Sequence, residues 1–101
     1  MEFIDIDGAS GRSYRFRLWR DHESHPPTAG NYVVLERDAP SSASPLLIGV
    51  TNDLARAGAR VRDRAQGSLF TRLNVARAAR EAEHDDIVAK HPSAQVVHID
   101  P

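Results

Sequence analysis

The chain has 101 residues and is close to neutral, with 13 Lys and Arg against 14 Asp and Glu, so it fits one domain and excludes a general polycation. It has no cysteine, which excludes disulfides and thiolate metal sites. No apolar run approaches the roughly 20 residues that a membrane helix needs.

The opening "MEFIDIDG" carries acids where a secretory leader has a basic stretch and a long apolar segment, so a cytoplasmic protein is expected. Residues 2–19 predict a hairpin. Ile4 and Ile6 alternate with Asp5 and Asp7, and Tyr14, Phe16 and Leu18 alternate with Arg15 and Arg17, around the turn "DGASG". "RDHESHPPTAG" reads as a loop. "NYVVLER" and "PLLIGV" predict two more strands, and the loop "DAPSSASP" between them permits antiparallel pairing. Thr51 or Asn52 is expected to cap a helix, with Asp53 in its first turn. Leu54, Ala57, Val61 and Ala65 form that helix's apolar stripe, and Gly67 is its expected stop. "SLFTRLNV" predicts a fifth strand, residues 76–91 a second helix ended by Pro92, and "AQVVHIDP" an extended tail. The expected class is α+β: a small, mostly antiparallel sheet with two main helices, preceded by an N-terminal hairpin. One domain over 1–101 is expected, with the hairpin at 1–20 and a core at 30–92.

Charge is uneven. Twelve of the 13 basic residues are arginine, a bias common in GC-rich bacterial genomes. Seven arginines (56, 60, 62, 64, 72, 77, 80) fall between Leu54 and Arg80, against the single acid Asp63. Glu81, Glu83, Asp85 and Asp86 follow at once. Arg56, Arg60 and Arg64 form a row at i, i+4, i+8, which suits either a solvated helix face or a polyanion contact. His22 and His25 share a Pro-rich loop without a third ligand, a poor basis for zinc. His84 and His91 are separated by about 10 Å of helix rise, too far to share one ion.

Gly30-Asn31-Tyr32, then Leu47-Ile48-Gly49, then Thr51-Asn52-Asp53-Leu54, then "REAEHDDIVAKHP" from Arg80 resemble, in order and spacing, the motifs of the GIY-YIG nuclease superfamily. The likeness spans about residues 30–92, and the preceding hairpin is similar to one in small bacterial members. It implies a metal-dependent phosphodiester hydrolase acting on DNA or RNA. Tyr32 would face a cleft and help activate water. Gly49 would allow close backbone approach. One glutamate would hold magnesium or manganese, and an arginine would stabilise charge on the phosphate.

The departures carry as much information. Leu47 stands where the second motif has tyrosine. The family's arginine position is Ala57, with Arg56 adjacent but about 100° around the helix and Arg60 one turn on. Matching "DIVA" puts His84 at the metal position, whereas matching the spacing to Pro92 puts Glu83 there. Gln95 is the nearest counterpart of the terminal asparagine. The first register is slightly favoured, because it needs its gap only in the loop after the helix, and the choice between Glu83 and His84 stays open. The site set is Tyr32, Arg56, Arg60 and Glu83 for chemistry, with Glu83 as the metal ligand in the second register. Arg56, Arg60 and Arg64 would contact nucleic acid. The leading expectation is a catalytically weakened or inactive nuclease-like domain, without a resident cofactor, whose partner is nucleic acid and not a membrane. An active magnesium- or manganese-dependent endonuclease and a protein-interaction module stay open.

Overall fold

Alternation sets the first two strands. β1 (Phe3–Asp7) pairs antiparallel with β2 (Ser13–Leu18), placing Ile4 opposite Phe16 and Ile6 opposite Tyr14, all four buried. Asp5, Asp7, Arg15 and Arg17 point to the other face, as period two requires. The computed structural model describes residues 2–20, 23–40, 43–64 and 67–98, without the side chains of 63, 64 and 98.

β3 (Gly30–Glu36) pairs antiparallel with β4 (Leu47–Thr51) on one side and with β5 (Gly67–Leu73) on the other. It is buried on both faces up to Leu35, the pattern of a central strand. β5 also pairs with β2, so the hairpin joins the same sheet. The tail forms β6 (Gln95–His98), parallel to β4. The six strands run in the order β1-β2-β5-β3-β4-β6, an α+β fold whose sheet is antiparallel except at β6.

The helices lie on opposite faces. α1 (Leu54–Arg64) packs Leu54, Ala57 and Val61 onto Tyr32, Val34, Leu47 and Leu69. α2 (Arg77–Lys90) packs Ile87 into a cluster with Ile4, Phe16, Val33, Ile48 and Phe70. α1 starts one or two residues later than expected. Thr51 closes β4, and its Oγ1 accepts the Asp53 N–H at 3.1 Å. Asp53 is the cap, its carboxylate accepting the Arg56 N–H at 3.2 Å. Gly67 opens β5 instead of closing the helix, and Ala65 lies outside the described residues, as does His22. Pro92 follows α2 as expected. Among the described residues, no helix is long and apolar enough to cross a membrane.

Candidate functional site

β3 delivers Tyr32 to the α1 face, opposite Gly49 on β4 and Thr71 on β5. There it is 0% exposed. Its ring lies over the Gly49 backbone so closely that a Cβ at 49 would overlap the phenol. Gly49 therefore makes room for Tyr32 itself. Leu47, two residues away on the same strand, belongs to the same apolar cluster, as do Leu54 and Ala57. Ala57 is fully buried, so the α1 position matched to the family's arginine points into the core. Arg56 and Arg60 are both exposed. Arg64 ends α1, and its side chain lies outside the described residues. Gly30 sits against the Arg72 backbone at the start of β3.

The acidic candidates lie across the sheet, on α2. Glu83 accepts from Arg72 Nε at 2.8 Å, with side chains only 31% (Arg72) and 20% (Glu83) exposed. The Arg72 guanidinium also lies over the Tyr14 ring and donates to the Arg15 carbonyl. His84 is buried one turn before Ile87, on the stripe that α2 turns to the sheet. Asn31 donates to the Arg80 carbonyl at 2.9 Å and accepts from Asn74 at 3.0 Å. The first bond ties α2 to the start of β3, and the second ties the link between β5 and α2 to the same residue.

Between the end of β4 and α2 runs a groove of about 340 Å3, bordered by Asn52, Arg77, Arg80, His84 and Asp85. It contains the His84 position but neither Tyr32 nor Glu83. The structure thus brings Thr51, Asn52 and His84 together, places Tyr32 with Gly49, Leu47 and Ala57, and separates the two sets by the sheet. Gln95 lies on β6, paired with Leu47.

The donor set does not fit a divalent cation at Glu83. A hard cation wants several oxygen ligands. Glu83 is committed to Arg72, and no group of three His, Asp or Glu among the described residues is placed to share an ion.

Two clusters were invisible to the sequence reading. In the first, Asp86 on α2 accepts from the Ser10 N–H at 2.9 Å, the Ser10 hydroxyl at 2.7 Å and the Tyr14 hydroxyl at 2.7 Å. The Ser10 hydroxyl and then the Tyr14 hydroxyl hold the Asp86 carboxyl below the usual range. The bond to Asp86, followed by burial, raises the Tyr14 phenol. In the second, Trp19, His25 and Thr71 border a basin on the α1 face. Its only sequence signal is "RFRLWR", which puts Arg15, Arg17 and Trp19 on one side of a strand.

Comparison with protein-family models, with curated proteins and with solved structures finds no match to this chain.

Proposed function

We propose that this chain is a divergent GIY-YIG nuclease-like domain that binds nucleic acid without hydrolysing it. One observation carries the loss of chemistry: Tyr32 is sealed in the α1-side core, while Glu83 lies across the sheet in an ion pair with Arg72. A phenol that activates water needs access to water and to the metal-bound phosphate, within hydrogen-bond reach. The Thr51-Asn52-Asp53 turn has a structural use, as the cap of α1. Arg56 and Arg60 supply the exposed cations on one flank of that helix.

The test has two arms. Binding of short DNA and RNA duplexes is measured over a range of salt. Affinity should fall with salt, and Arg60→Glu should weaken binding and reduce the log–log slope by about 1. No binding at low salt removes the reading. Cleavage with magnesium or manganese is then assayed for wild type, Tyr32→Phe and Glu83→Gln. Metal-dependent cleavage by wild type, lost in both variants, would establish an active nuclease instead.

A further inference from the structure

α1 leaves the outer part of its own sheet face uncovered, and there β2 and β5 floor a basin of about 360 Å3. Strand register fixes its layout. Phe3, Arg17 and Thr71 stand in one row across β1, β2 and β5, because Arg17 pairs with both of the others. Arg15 is two residues along β2 from Arg17, on the same face. The segment 23–26 closes one side. His25 Nδ1 lies 2.8 Å from the Pro26 carbonyl, which can only accept, so that nitrogen carries the proton. His25 Nε2 and the Thr71 hydroxyl share a hydrogen bond at 2.8 Å.

Several contacts hold the wall. The Trp19 indole N–H donates to the Glu23 carbonyl at 2.7 Å, and its ring meets His25 with centroids 4.6 Å apart. From α1, the Arg62 guanidinium lies 4.6 Å from the Trp19 centroid and donates to the Trp19 carbonyl at 2.7 Å. A side chain at Gly58 would collide with the indole, so this α1 position is matched to Trp19.

The exposed surface has two chemistries side by side, with the Arg15 guanidinium 5.8 Å from the centroid of the Phe3 ring. Phe3 and Leu73 are 49% and 58% exposed and border the basin with apolar area. Arg15 and Arg17 stand between them, paired with Asp5 and Glu2 at 3.3 Å. All four of these side chains are about half or more exposed, so the pairs are weak and open to exchange for a phosphate. The matching occupant has a flat apolar part next to an anion. A nucleotide has both, and only an unpaired one has a base free to leave its stack.

We propose that this basin takes an unpaired nucleotide, its base against Phe3 and the Trp19–His25 wall and its phosphate on Arg15 and Arg17. The nucleotide belongs to a single strand, which rests on the nucleic-acid reading above. A free mononucleotide shares the chemistry and is separated by the test.

Trp19 is the chain's only tryptophan, so its fluorescence reports on this basin directly. A labelled single-stranded oligonucleotide, the matching duplex and a nucleoside monophosphate are each titrated, reading label anisotropy and Trp19 emission. The expected result is salt-sensitive quenching of Trp19 by the single strand, with affinity about tenfold lower in Phe3→Ala and in Arg17→Glu. Arg17→Gln, with folding checked by circular dichroism, provides a milder second variant. Single-strand binding without a Trp19 response, or unchanged in Arg17→Glu and Arg17→Gln, overturns the basin and leaves the nucleic-acid reading standing. If no strand or duplex binds, that reading falls. Quenching by the monophosphate alone then supports a free nucleotide as ligand, and a silent Trp19 overturns the basin as well.

Discussion

The two sides of the sheet are built from different materials. Under α1 the packing is almost wholly apolar, and the one phenol in it, Tyr32, is fitted over Gly49. Under α2 an apolar centre is ringed by polar bonds: Asp86 to Ser10 and Tyr14, Glu83 to Arg72, Asn31 to the Arg80 carbonyl. The difference teaches where chemistry could act. Phosphodiester hydrolysis of the resembled kind needs a phenol, a carboxylate and a cation in one wet place. Here the motif's phenol, Tyr32, has a shape-filling job on one side, while on the other the carboxylates have bonding jobs, Asp86 to the second phenol, Tyr14, and Glu83 to Arg72.

The largest effect should come from emptying the α1 side. Tyr32→Ala removes a fully buried ring and should cost about 3–5 kcal/mol by denaturant unfolding. Gly49→Ala forces an overlap with the same ring and should cost about 1–3 kcal/mol. Tyr32→Leu in the Gly49→Ala background should recover part of that loss. Strict additivity of the two changes would show that the ring and the glycine are not matched.

On the α2 side, Glu83→Gln should cost about 1–2 kcal/mol, because it leaves the partly buried Arg72 guanidinium without its charged partner. A double-mutant cycle with Arg72→Met should recover a coupling of that size. A coupling near zero would return Glu83 to the list of free carboxylates.

The Asp86 cluster predicts a pH profile. Its carboxyl is depressed in the fold, so this stabilisation is full above the ordinary aspartate range and is lost as pH falls through the lowered value. The Tyr14 phenol is raised, so its share is full below the ordinary tyrosine range and is lost as pH climbs through the raised value. Asp86→Asn should therefore flatten both limbs of a thermal-stability profile, and unchanged limbs would remove the cluster as their cause. The smallest effect belongs to Arg77→Ala. Its pair with Glu81, 79% and 54% exposed, should be worth under about 0.5 kcal/mol.

Local pattern made the hairpin legible. Ile4, Ile6, Tyr14 and Phe16 alternate, and all are buried where alternation puts them. Strand order was not legible, because inserting β5 between β2 and β3 is decided by packing between distant segments. Tyr32 shows the limit within the site. β3 is buried on both faces, so alternation gives no sign of which face a residue takes or whether that face is open. His84 was readable in principle, since it lies three residues before Ile87 on the buried stripe. The Asp86 cluster joins positions 76 and 72 residues away, a partnership no local spacing encodes.

The insertion of β5 also has a consequence for the growing chain. The hairpin is synthesised before the other elements of the sheet, yet its further sheet neighbour among the described residues, β5, is made roughly 50 residues later, a wait of about 3–10 s at ordinary synthesis rates. During that interval Tyr14 and Phe16 have neither β5 nor α2 against them, and a lone two-stranded hairpin is marginal in water. While the nascent hairpin waits, its apolar side lacks a cover, and its alternating arginines and aspartates keep the other side wettable.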